Sequence, residues 1–361
     1  MKQKIDFRPY HGSLAAKAFD PGDSLGYCYP LNADDEVYSQ VSDSPSLDAE
    51  KIFLGQAFQR LIGKTQVFSC QNYPYLRNRQ THTKEAVFLG KMAARILGLN
   101  SNLVEAILLA HDTGYPAGGH VGEKFITRTS KRTFGHEVMS VVLLQKIYNL
   151  NLSWETLQGV LRHRRGEARL QSDPYSFQEY ILCSICDKIA ILSDYDDALR
   201  CGYFTEKQLR PELLFLGENL QERWRNCLFA LVKESSKKGF VSFGDSEIGN
   251  KFETLLQWSY PNFYRKVNAS KECLQDKEDL EAVYDFLYHW RHVVNYDPCL
   301  SIAVMTDQEM RRISKFSRYP TIADKNILDS LGFAEILLRL PKDSQIDIFD
   351  ASLHAEDFHQ V

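Results

Sequence analysis

The chain has no run of about 18 apolar residues, which excludes an ordinary membrane-spanning helix. Its opening stretch, Met1-Lys-Gln-Lys-Ile-Asp-Phe-Arg-Pro9, has no apolar segment of the kind a secretory signal needs, so the cytoplasm is the expected compartment. Cysteines fall at 28, 70, 183, 186, 201, 227, 273 and 299 without regular spacing, which excludes a disulfide framework and fits a reducing environment. Cys183 and Cys186 have redox or half-site metal spacing, but they lie in an apolar segment with no second such pair and read as small core residues. A basic excess is also missing. The net charge of -4 argues against wrapping a polyanion, and the densest basic run, Arg162–Arg169, lacks the interleaved aromatics of a nucleic-acid surface. Repeats and low-complexity blocks are absent.

With 44% hydrophobic residues in 361, the chain can bury a large core. Residues 1–45 are rich in Gly, Pro, Asp and Ser and read as an irregular arm. From 46 to 205, apolar segments at helical spacing alternate with short Gly or Asn breaks. Helical patterns continue over 206–361, with a small hairpin expected near 239–245. An all-α architecture follows: arm, helical core, and a helical C-terminal region that closes the pocket.

His111-Asp112 ends the apolar stretch Glu105–Ala110 and opens the Gly-rich run Thr113–His120. Adjacent imidazole and carboxylate groups at a helix end can grip one divalent metal, and a Gly-rich turn frees the backbone to approach a substrate. His82 opens an amphipathic segment in which Val87, Gly90, Ala93 and Leu97 fall at helical spacing. Asp187 sits in the apolar segment 181–192, where an unpaired carboxylate would cost several kcal/mol, so it needs a partner. Together His82, His111, Asp112 and Asp187 offer two nitrogens and two carboxylates, a set suited to Mn, Fe, Mg or Zn with room for water and a phosphate.

The order His82, His111-Asp112, Asp187 resembles the HD-domain phosphohydrolase superfamily. The runs Phe58–Phe68, Arg79–His82, Leu109–Gly114, Gly119–Glu123 and Asp197–Gly202 are similar to those of the bacterial dGTPase-type deoxynucleoside triphosphate triphosphohydrolases. That resemblance implies an HD-domain helical core and a divalent metal, Mn, Mg or Fe, with Zn also compatible. The reaction it implies is hydrolysis of a dNTP, dGTP first, to deoxynucleoside and inorganic triphosphate. It further implies a homo-oligomer and leaves room for a regulatory nucleotide.

The resemblance also implies roles. His120 and Glu123, three apart on one helical face, would serve hydrolysis, the carboxylate orienting the imidazole; His136 would border the phosphate site. Arg79 and Lys188 would contact phosphates, and Gln66 would read the deoxyribose 3′-hydroxyl. Each has a plainer alternative: a helix cap for His120 or His136, surface charge for Arg79, Lys188 and Arg162–Arg169, a buried amide for Gln66. Two positions depart from the family. Tyr115 stands where relatives carry histidine and Ile191 where they carry tyrosine, and the next family aspartate falls on Asp194 only if the helix is one residue short, Tyr195 being the other occupant. Tyr115 can still donate a hydrogen bond but is no cation at neutral pH. Another HD-type phosphatase or phosphodiesterase, or a lapsed nucleotide sensor, are the other readings.

Overall fold

Helix boundaries fall where the sequence supplies caps. In the computed structural model, which describes residues 5–68, 76–294, 297–317, 331–338, 340 and 346–358, the helix Arg79–Leu97 starts at Asn78. Asn78 and Thr81 exchange hydrogen bonds there as a capping box, and Gly98 ends the helix with a left-handed φ of 81°. Asn100 then caps Ser101–Ala110 by accepting from Asn102 and Leu103 N–H. Asn219 and Gly239 bracket Leu220–Lys238 in the same way.

Ser101–Ala110 is the axis of the core. It is apolar on nearly every face, and Leu103, Val104, Ala106, Ile107, Leu108, Leu109 and Ala110 are all buried. Arg79–Leu97, Gln178–Ala190, Ser44–Leu54 and Trp154–Arg162 pack around it. Gly90 sets how closely two of them cross: a Cβ there would lie 2.6 Å from Leu108 Cδ1 and 2.7 Å from Val104 Cγ1. Truncating a buried leucine such as Leu108 would cost about 2–5 kcal/mol. The packing places His82, at the start of one helix, beside His111, at the end of the other.

The fold is helical; among the described residues only the isolated bridges Tyr27–Ser153 and Thr65–Asn78 are β-like, and there is no sheet. The hairpin expected near 239–245 does not form. Side chains of neighbouring helices take the backbone groups a partner strand would use: Val241 N–H donates to Gln178 Oε1, Ser242 N–H to Ser235 Oγ, and Phe243 N–H to Glu167 Oε2. The N-terminal segment is more regular than its composition implies. Asn32 caps the helix Ala33–Ser39, whose first turn carries Asp34, Asp35 and Glu36, and Leu14 and Phe19 are buried in the core. No helix of the described residues is long and apolar enough to cross a membrane.

Beyond residue 205, Lys271–Val294 packs against Asp307–Ser317, Pro298–Val304 and Gly119–Ser130. Glu247–Trp258 widens into a π-helical turn, Ser259–Tyr264. A buried clasp ties this half to the 113–118 loop. Lys64 Nζ donates to the carbonyls of Tyr115 and Met305, and Arg60 Nη2 lies 3.3 Å from those of Thr113 and Tyr115. Asp307 accepts from Thr65 N–H at 2.7 Å and Gly118 N–H at 2.9 Å. Burial holds the Lys64 ammonium well below its usual pKa.

Candidate active site

His111 is the C-cap of Ser101–Ala110, and its protonation pattern is fixed locally. Nδ1 lies 2.6 Å from the Leu108 carbonyl, which can only accept, so Nδ1 carries a proton and Nε2 is the nitrogen left to face the site. Nε2 is buried without a hydrogen-bond partner, and two carboxylate oxygens face it: Asp112 Oδ1 at 3.3 Å and Asp187 Oδ1 at 3.4 Å. His82 Nε2 adds a third contact to Asp187 Oδ1, at 3.0 Å. Two carboxylates around this nitrogen call for a positive charge between them, a proton when the site is empty or a metal ion when it is filled. The donor set and this orphaned nitrogen therefore fit a divalent ion held by His82, His111, Asp112 and Asp187. Burial opposes charge on His111, but Asp112 and Asp187 outweigh it and raise its pKa to about 9. Burial likewise opposes charge on Asp112, which His111 and Arg79 nevertheless hold well below the carboxylate range.

The loop after Asp112 is pinned by Gly114, where a Cβ would come within 2.1 Å of Ser140 N and 2.4 Å of His136 O. That glycine serves backbone packing against the His136 helix rather than approach of a substrate. Arg79 Nη1 donates to Asp112 Oδ2 at 3.0 Å, and its guanidinium lies 3.3 Å from the Tyr115 ring centroid. Tyr115 also stacks on His136, centroids 3.7 Å apart at 20°, so the phenol is sandwiched between guanidinium and imidazole.

Glu123 orients two imidazoles. Its Oε2 is 2.7 Å from Nδ1 of His120, and Oε1 is 2.8 Å from Nδ1 of His136 and accepts from the His136 N–H at 3.1 Å. His136 is buried, whereas the His120 side chain is 60% exposed. Burial disfavours the Glu123 charge, yet the two imidazoles hold its carboxyl far below the usual range.

Every expected site residue except the fully buried His111 borders one cavity of ≈ 860 Å³. Gln66 holds a buried Oε1 with no partner among the described residues, and Lys188, Tyr115 and Ile191 line the same space. Asp194, rather than Tyr195, reaches it, because the helix breaks at Ile191 and Leu192; Tyr195 turns inward to Ser259. Asp194 is already engaged, by Arg77 and by the Tyr264 hydroxyl at 2.7 Å. Within Arg162–Arg169, Arg162 and Arg165 pair with Asp173, while Arg164 pairs with Glu137 at 2.9 Å and borders the cavity. Cys183 and Cys186 are buried free thiols, as core residues should be; Cys70 lies outside the described residues.

Sequence reasoning passed over several groups here. Tyr260, Tyr264 and Asp307 come to the cavity from far along the chain, and no local signal marked them. His163 did carry a signal, one imidazole inside a basic run directly after an apolar helix; it is buried, with Nε2 3.2 Å from His136 Nε2.

The HD domain family model matches residues 79–199, the span holding His82, His111, Asp112 and Asp187. A deoxyguanosinetriphosphate triphosphohydrolase-like protein of Caldanaerobacter subterraneus subsp. tengcongensis is 30% identical over 84% of this chain and 87% of its own. The chain belongs to the HD-domain family. Proteins carrying the same name from Clostridium tetani and Clostridium perfringens are 33% and 30% identical, over 66% and 67% of this chain and 72% and 73% of theirs. As an HD-domain member it is a metal-dependent phosphohydrolase. Gln66, Tyr260, Tyr264 and Asp307 lie outside the span that the HD model matches.

Proposed function

We propose that this chain hydrolyses deoxynucleoside triphosphates to deoxynucleoside and inorganic triphosphate, with dGTP as the first substrate. The observation that carries the reading is a single cavity bordered by the His82/Asp112/Asp187 cluster, the His120–Glu123 pair, the cations Arg79, Lys188 and Arg164, and the unpartnered Gln66 Oε1. The names of the relatives support the substrate class.

An ion held by His82, His111, Asp112 and Asp187 supplies Lewis-acid polarisation of a phosphoryl oxygen. His120 exchanges its proton at Nε2, because Glu123 occupies Nδ1. Arg79, Lys188 and Arg164, all on the cavity border, bind phosphate oxygens. His136, locked by Glu123, borders the phosphates, and Gln66 Oε1 accepts from the sugar hydroxyl. Tyr115 donates to a phosphate oxygen, and Asp194, held by Arg77 and Tyr264, shapes the sugar side. Residues 46–205 form the catalytic core, with 1–45 as an arm and 206–361 closing the pocket, a division supported by Tyr260, Tyr264 and Asp307 on its border. The exposed Val37, Tyr38 and Val41 near the N-terminus support a homo-oligomer, and the free thiols a cytoplasmic setting.

A second reading, a related phosphatase or a lapsed nucleotide sensor, is favoured by Tyr115 and Ile191 on the cavity wall. The deciding experiment incubates the protein with Mn, Mg or Fe and each dNTP, separates products by ion exchange, and uses Asp112→Ala as control. Deoxynucleoside with intact triphosphate, absent in the variant, is expected. Monophosphate or diphosphate products point to the related enzyme, and tight binding without turnover to the sensor.

A further inference from the structure

The cavity runs past the phosphate-binding groups into the half of the chain beyond residue 205, where Val267, Asn268, Cys273 and Asp276 border it. Two contacts locate this end. Asp307 holds the Thr65 N–H at 2.7 Å, and Arg311, one turn further along the same helix, donates from Nε and Nη2 to Asp276 Oδ1 at 3.1 and 2.9 Å. Asp276 therefore stands beside the Thr65–Gln66–Val67 stretch, next to the amide given to the sugar hydroxyl. Val67 and the buried Val267 supply apolar surface there, and the half-buried Asn268, at the end of the helix Arg265–Asn268, supplies an amide. Asp276 is only 8% exposed, and with Arg311 on Oδ1 its Oδ2 has no partner among the described residues. A buried carboxylate oxygen bordering a cavity is an acceptor in want of N–H donors.

We propose that Asp276 and Asn268 read the base of the nucleotide, and that the base they select is guanine. Resting on the nucleotide reading of this cavity, the assignment names the residues that choose among the four bases. Guanine alone presents two adjacent donors, N1–H and the N2 amino group, beside an acceptor, O6. The Asp276 carboxylate takes the donors, and the Asn268 amide donates to O6. Adenine and cytosine each turn a ring-nitrogen lone pair toward the same oxygen, and thymine flanks its single N–H with two carbonyls. Each of the three therefore meets repulsion where guanine meets a hydrogen bond. Arg311 makes the reader rigid, because two donors on one oxygen hold the carboxylate plane and keep the other oxygen free. Val67 and Val267 suit the apolar faces of a flat ring, as in most small-molecule pockets with a few placed polar groups.

The test compares substrates that differ at the base edge. For the full chain with Mn(II), kcat/KM is measured for dGTP, for dITP, which lacks the N2 amino group, and for dATP. Relative to dGTP, dITP is expected about tenfold lower and dATP about a hundredfold lower. Asp276→Asn keeps an acceptor for Arg311 and turns an amide N–H on the base. In that variant, checked for fold by circular dichroism, dGTP should fall about a hundredfold, while dATP, whose N1 now meets a donor, holds or rises. Asn268→Ala should cost dGTP about fivefold more than dATP. Equal kcat/KM for dGTP and dITP in the wild type, or an unchanged dGTP-to-dATP ratio in folded Asp276→Asn, overturns the assignment; should that variant fail to fold, the wild-type comparison decides. Calorimetric binding of dGMP, dIMP and dAMP keeps the two readings apart. A dGMP preference that Asp276→Asn loses, without dNTP turnover, sinks only the triphosphohydrolase, and turnover of all four dNTPs alike sinks only the base assignment.

Discussion

Two groups of buried polar side chains lie at the cavity wall and just behind it, and they are finished in opposite ways. Around Asp112 and Asp187, imidazole nitrogens face carboxylates and one another, an arrangement that a proton or a cation must complete. In the clasp, donors face acceptors: Lys64 and Arg60 meet carbonyls, and Asp307 meets N–H groups. Burying polar groups without complementary partners costs a few kcal/mol each, so a fold retains like facing like only where something else completes it. The first wall is arranged for guests, the second for architecture.

Breaking the first wall should abolish chemistry and spare the fold. Asp187→Ala is expected to lower dNTP turnover by about a thousandfold or more, in line with removing a metal ligand, while the melting temperature stays within a few degrees. Turnover within tenfold of the wild type would remove Asp187 from the reacting centre. The clasp should behave in reverse. Lys64→Met leaves the Tyr115 and Met305 carbonyls without their donor, and urea titration should show a loss of about 3 kcal/mol. A loss below about 1 kcal/mol would deny the clasp its structural weight.

The same variant sharpens the contrast through pH. Burial lowers the Lys64 pKa in the folded chain, so between that value and the ordinary 10.5 the unfolded chain binds more protons. This group's contribution to stability therefore rises with pH across that window and is lost as pH falls. The deficit of Lys64→Met should widen from pH 7 to 10, and a deficit that stays constant over that range would mean the lysine stays charged when folded. The smallest effect belongs to Gln66→Leu. Its buried Oε1 has no partner among the described residues, so KM for a dNTP should rise about fivefold with no loss of melting temperature, roughly one hydrogen bond. An unchanged KM with lost stability would make Gln66 a structural amide.

The first wall was legible in the sequence because carboxylates and histidines stand out against the apolar helices that carry them. Asp187 had to have partners, and it has His82 and His111. The His120–Glu123 contact followed from helical spacing alone. His163 was hidden by its arginine neighbours, two of which serve only Asp173. The clasp was unreadable for a different reason: Arg60 and Lys64 bind backbone carbonyls more than 50 positions away, and carbonyls leave no mark on a sequence. The missing hairpin at 239–245 failed similarly, since Gln178 and Glu167, distant in the chain, take its backbone donors.

The Arg79–Tyr115–His136 stack bears on how this lineage can change. A neutral π-face tolerates a guanidinium on one side and an imidazole on the other. Replacing Tyr115 by histidine would set an ionisable ring against Arg79, so the change would be felt at positions 79 and 136 together. Tyr115 thus makes the order of substitutions matter: three positions far apart in the sequence answer to one another, and a change at any of them is judged by the state of the other two.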